Sequence, residues 1–173
     1  ELVRCAQIAT IAAELAAAYA PALAHAPTRR RLAPETRVSL ATAARLTATD
    51  FVQAAQARTR LMVHFRRAFQ ACDVIAAPAC GTVAPPIHAD ALRYGETDLR
   101  TTGELMRFTV PVNMSGLPAA TIPVGHGEAG LPVALQLIGR PWDEATLAVV
   151  GGALEAALPA GALRRPVVGV DLV

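Results

Sequence analysis

Two apolar runs, Ala119 to Val124 and Pro132 to Ile138, flank the glycine-rich stretch Gly125-His126-Gly127-Glu128-Ala129-Gly130. Runs of this length bounded by turn residues read as strands, and a glycine-rich loop between them closes the pair antiparallel. Whatever else the chain forms must cover such a sheet. A third run, Asp73-Val74-Ile75-Ala76-Ala77, ends at Pro78 and suits a strand buried on both faces better than so short a helix.

Helical patterns fill most of the remainder. Leu2 to Tyr19 is dominated by alanine and leucine, with no glycine or proline before Pro21. His25 to Pro34 reads as a connection, followed by a shorter helix from Glu35 to about Arg45 with Pro34 as its first residue. Thr47 and Asp50 have the spacing of a capping box and precede Phe51, Ala54, Ala55, Arg58, Leu61, Met62, Phe65 and Phe69. Spacing of three and four places the apolar members on one face of a helix running to about Ala71, with Arg60, Arg66 and Arg67 on its outer face. Pro78 to about Arg107, rich in Pro, Gly, Thr and charge, reads as a long ordered excursion of a kind that is often functional. Asp143 caps a last helix from Glu144 to about Leu158, ended by Pro159 and Gly161.

The pattern describes one α/β unit: residues 1–71 mainly helical, 72–139 strands and a long loop, 140–173 a final helix and tail. A length of 173 residues suffices for one core of ordinary size. Hydrophobic residues make up 53% but aromatics only 4%, so small side chains must fill many buried positions and helices must pack closely. All 16 basic residues are arginine. Arginine stays protonated and cannot serve as a general base, so no lysine-dependent mechanism can run within the chain. A formal charge of +2, with the clusters Arg29-Arg30-Arg31, Arg66-Arg67 and Arg164-Arg165 on solvated faces, gives no nucleic-acid footprint. Cys5, Cys72 and Cys80 form an odd set without a CxxC pair, which points to a reducing compartment and a cytoplasmic location. The longest apolar run, Ile8 to Ala26, is interrupted by Glu14, Pro21 and His25, so neither a membrane span nor a signal peptide is expected. His25, His64, His88 and His126 have no metal-ligand spacing.

The segment from Phe108-Thr109-Val110-Pro111-Val112-Asn113-Met114-Ser115-Gly116-Leu117-Pro118 through Gly130-Leu131-Pro132 to Gly139 resembles the C-terminal part of the amidase signature family. The likeness extends to Pro34-Glu35-x-Arg37, Asp50-Phe51-x-x-Ala54-x-x-x-Arg58, Phe69-x-x-x-Asp73-Val74-Ile75-Ala76-Ala77-Pro78 and Ile138-Gly139-Arg140-Pro141. It implies one large α/β domain in which a mixed sheet is covered by helices, with this part supplying strands, covering helices and a portion of the substrate pocket. It also implies hydrolysis of a carboxamide to carboxylate and ammonia or amine, with no metal or organic cofactor. In the family the nucleophilic serine, the bridging serine and the lysine lie upstream, in an N-terminal half. Here the only serines are Ser39 and Ser115, each isolated, so no catalytic residue is assigned within the chain. Glu1 in place of methionine points to a cut chain. The implied partners are an amide substrate, an N-terminal catalytic half in cis or in trans, and a second copy in a homodimer; neither nucleic acid nor membrane is expected.

Position within the resemblance makes Met106, Phe108, Val110 and Asn113 the substrate-pocket candidates. A purely structural role is the competing reading: Phe108 and Val110 in the core, Asn113 satisfying turn backbone. The glutamine-dependent amidotransferase branch places an acidic residue near Met106, where it meets the substrate's amino group; methionine cannot make that ion pair. Two alternatives stand beside the amidase reading: a noncatalytic truncated or split-enzyme module docking on a separate catalytic chain, and a cysteine hydrolase with Cys80 as nucleophile and His88 as base.

Overall fold

The computed structural model describes residues 2–86, 99–127, 130–159 and 162. Four helices come first: α1 (Leu2–Ala24), α2 (Ala26–Arg31), α3 (Pro34–Ala43) and α4 (Ala48–Ala68). Then follow β1 (Ile75–Pro78), α5 (Leu99–Met106), α6 (Thr109–Ser115), β2 (Ala119–His126), β3 (Pro132–Ile138) and α7 (Glu144–Ala157). The α/β class expected from the sequence is what the chain adopts.

Helix α1 packs on α3 and α4. The contact with α4 is built from small residues, Ala6 against Ala54 and Ala57, completed by Val110 and Met114 of α6. Alanine at the crossing lets helix axes approach closely, as the composition required. On α3, Leu40 is only 1% exposed. The α4 stripe is narrower than the periodicity suggested: Ala54 and Ala57 are buried, Leu61 and Phe65 partly so, while Phe51 and Met62 are exposed.

Two helical boundaries differ from expectation. Helix α1 continues through Pro21 to Ala24. Proline removes the bond to the Ala17 carbonyl, but Ala17 and Pro21 are both accessible, so water can take its place. Where a connection was expected, residues Ala26–Arg31 form α2, with Pro27 in the first turn, whose N–H groups have no helical partner in any case. Likewise the excursion beyond Pro78 contains α5; residues 87–98 lie outside the described residues.

The capping box of α4 is formed as the sequence spacing predicts. The Asp50 N–H donates to Thr47 Oγ1 at 3.2 Å and the Thr47 N–H donates to Asp50 Oδ2 at 2.8 Å. The Thr47 backbone N–H, and then its hydroxyl, hold the Asp50 carboxyl below its ordinary value. A carboxyl lowered in the folded state contributes stability that is complete above about pH 4 and is lost as pH falls through the lower folded value. Acid titration of unfolding should therefore show a limb below about pH 4 that flattens in Asp50→Asn; an unchanged limb would remove the box from the acid response.

The sheet has strand order β1-β3-β2 with every pairing antiparallel. Ile138 packs with Phe69 and Val112 on one face. On the other face α7 comes so near that a Cβ on Gly151 would lie 3.2 Å from Ile122 Cδ1, and one on Gly139 3.0 Å from Leu147 Cγ. Contrary to the expectation of a strand buried on both faces, Ala76 and Pro78 of β1 are exposed. The helix on that face, α7, packs on β2 and β3 and leaves β1 uncovered; among the described residues β1 is also the edge strand, where a proline is tolerated because its missing N–H has no strand to pair with. At β1 the ladder closes with the Ala79 N–H donating to the Ala134 carbonyl, and at β2 with the Gly139 N–H donating to that of Pro118.

Candidate functional site

The pocket candidates lie on α6 and the turn that leads into it from α5. Four of the seven residues of α6 are buried: Val110, Val112, Met114 and Ser115. Val110 and Met114, four apart and therefore on one side, join the α1/α4 cluster, while Val112 faces Phe69 and Ile138. The short helix thus wedges between the helical layer and the sheet. Pro111 falls in its first turn, where no intrahelical N–H is lost.

Both ends of α6 are tied by side chains from distant elements. The Arg58 Nε–H of α4 donates to the Met114 carbonyl at 2.7 Å, and Gln136 Nε2 of β3 donates to the Phe108 carbonyl at 3.1 Å. Gly116, at φ 73°, turns the chain out of the helix, a conformation that a side chain would strain, and its N–H donates to the Val112 carbonyl. The Ser115 hydroxyl donates to the Val112 carbonyl at 2.8 Å and accepts from the Leu117 N–H. Both bonds tie it to the turn that leaves α6.

The four candidate residues occupy different surroundings. Met106 ends α5 and packs, partly buried, against the Ala6/Ala54/Val110 cluster. Phe108 is half-buried, with the Arg107 guanidinium carbon 5.6 Å from its ring centroid. Val110 is a core residue and Asn113 is exposed. Two cavities lie near this segment. One, of about 600 Å³, is walled by Met62, Phe65, Phe69, Leu117 and Pro141, with Arg66 and Arg140 among its polar lining. The other, of about 400 Å³, lies between Cys80, Val83, Leu105 and Val133. None of the four candidates lines either one, although Leu105 adjoins Met106.

The second cavity is bounded where Gly81 meets α5: the Gly81 N–H donates to the Glu104 carbonyl, and a Cβ there would lie 2.7 Å from that oxygen. Cys80 is exposed at this cavity; the base paired with it in the cysteine-hydrolase alternative, His88, lies outside the described residues. The sequence pattern did not single out Gln136, and Arg58 entered as a member of the α4 helix and through the resemblance, without a role. The usable signal for Gln136 was a lone polar residue within the apolar run Val133 to Ile138.

Comparison with known proteins gives the class first. A solved structure described as an amidase superposes with a TM-score of 0.79 at 27% identity, covering 92% of this chain and 36% of that one. A fatty acid amide hydrolase of Medicago truncatula is 49% identical over 142 residues, 82% of this chain and 23% of the relative. A second fatty acid amide hydrolase, from Oryza sativa subsp. indica, is 47% identical over 121 residues, 70% of this chain and 20% of that protein. The family model described as Amidase matches residues 5–148, and the chain belongs to the amidase signature family. It spans about a quarter of the length of the Medicago relative.

Proposed function

We propose that this chain is the C-terminal portion of an amidase that hydrolyses a carboxamide C–N bond to carboxylate and ammonia or amine. It supplies sheet, covering helices and the part of the pocket wall that carries Met106, Phe108 and Asn113. An N-terminal half, in cis or in trans, supplies the lysine and the paired serines. The observation that carries this reading is a family match across most of the chain, together with a sequence lacking lysine and holding Ser115 in a turn. A cytoplasmic setting accords with the unpaired cysteines.

The acyl group is apolar. Met106 presents a thioether where the amidotransferase branch carries an acid, and fatty acid amide hydrolases stand among the relatives. In the complete enzyme, Met106→Asp should lower kcat/KM for long-chain primary amides about tenfold, because an unpaired carboxylate would be desolvated beside the acyl group. Rates on a series of primary amides of increasing chain length check this. If the substitution leaves the whole series unchanged, Met106 does not touch substrate.

A further inference from the structure

Gln136 is 5% exposed on the central strand of the sheet, opposite Ala77 of β1 and Thr121 of β2. Its backbone is taken up by the ladder with Ala77, so its side-chain amide is surplus to the sheet, and a buried amide is costly unless it finds a partner. That partner is the Phe108 carbonyl. Phe108 enters α6 with helical backbone angles, φ −99° and ψ −20°, and no side chain caps the helix there. Among the described residues the other bonds across the α5–α6 turn are local, such as Arg107 N–H to the Glu104 carbonyl at 3.3 Å, Arg107 Nη1 to Glu104 Oε2 at 3.3 Å and Thr109 Oγ1 to the Met106 carbonyl at 3.3 Å. With Arg58 holding the far end, the Gln136 bond ties the Phe108 peptide, and through it the Phe108 ring, to the sheet.

We propose that Gln136 is a positioning residue for substrate: by holding the Phe108 carbonyl it sets the orientation of the Met106–Phe108 wall that meets the acyl group. This rests on the pocket reading above. Gln136 acts on how substrate fits, not on bond breaking, so its loss raises KM and spares kcat.

The test uses the complete amidase with a long-chain primary amide as probe. Gln136→Leu and Gln136→Met, which keep the volume and remove the donor, should each raise KM about five- to tenfold with kcat within about twofold. Gln136→Glu keeps the shape but its carboxylate cannot donate to a carbonyl, so it should not rescue. Because the effect runs through Phe108, Gln136→Leu should add little to KM on a Phe108→Ala background. Unchanged KM in both donor-free variants, or losses with Phe108→Ala that simply multiply, would overturn the proposal while leaving the pocket intact. Phe108→Ala and Met106→Ala both without effect on KM would overturn the pocket reading itself, and this inference with it.

Discussion

A preparation of this chain alone should release ammonia from carboxamides no faster than buffer does. Adding a separately expressed N-terminal half that carries the lysine and paired serines should raise the rate by about 10⁶-fold or more, the lower range of enzymatic acceleration. Amide hydrolysis needs a nucleophile activated by a base, and of the two serines Ser115 is committed to the turn after α6, while Ser39 stands exposed on α3. Arginine cannot replace the missing lysine as a proton acceptor. The result that would reverse this view is amide turnover by the isolated chain. If Cys80→Ala abolished that turnover, the cysteine mechanism would take over; if it did not, another nucleophile would have to be found.

The second large effect concerns stability. Phe69→Ala in the complete enzyme should cost about 3–5 kcal/mol, the range for deleting a buried phenylalanine. Phe69 is the C-cap of α4 and is 6% exposed, in one cluster with Val112 of α6 and Ile138 of β3. It therefore joins the helical layer, the pocket segment and the sheet at a single side chain. Its ring also lies 6.0 Å from the Arg140 guanidinium carbon, and Arg140 in turn donates to the Cys72 carbonyl and Asp73 Oδ1. The ion pair with Asp73 is solvent-exposed and contributes little by itself, so Arg140→Ala should cost far less than the phenylalanine deletion. Urea unfolding midpoints of the two variants decide it. A smaller shift for Phe69→Ala than for Arg140→Ala would place the weight on the charge cluster instead of the core.

Much of this architecture was legible because its signals are local. The Thr47–Asp50 box, Pro34 at the start of α3 and the Asp143 cap each act within a few residues, and each is present in the fold; β2 and β3 also pair antiparallel as expected, with Gly125 and His126 in the strand rather than in the loop. The elements that escaped notice depend on distant partners. Helix α5 carries Thr101, Thr102 and Gly103, poor helix formers by propensity, yet Gly103 is where Arg4 of α1 comes within 2.5 Å of an ideal Cβ position. Pro27 marked a loop by composition but sits in the first turn of a helix. The expected burial of β1 on both faces failed because an apolar run cannot reveal that α7 leaves its strand uncovered. At the candidate site, the resemblance located the segment but could not say which side chains point inward. Val110 is part of the core, and two residues that hold the segment, Arg58 and Gln136, come from elements far away in sequence.

The placement of prolines makes the sheet uneven as a template for growth. Since Ala79 bonds inward to Ala134, the alternation of an antiparallel ladder turns Ala76 and Pro78 outward, and Pro78 has nothing to donate. Since Gly139 bonds to Pro118, the same alternation turns Ala119 and Thr121 outward on β2, both still carrying N–H groups, before Pro123 ends the series. An extended segment seeking backbone partners therefore meets one outward N–H, on Ala76, along β1 and two, on Ala119 and Thr121, along β2.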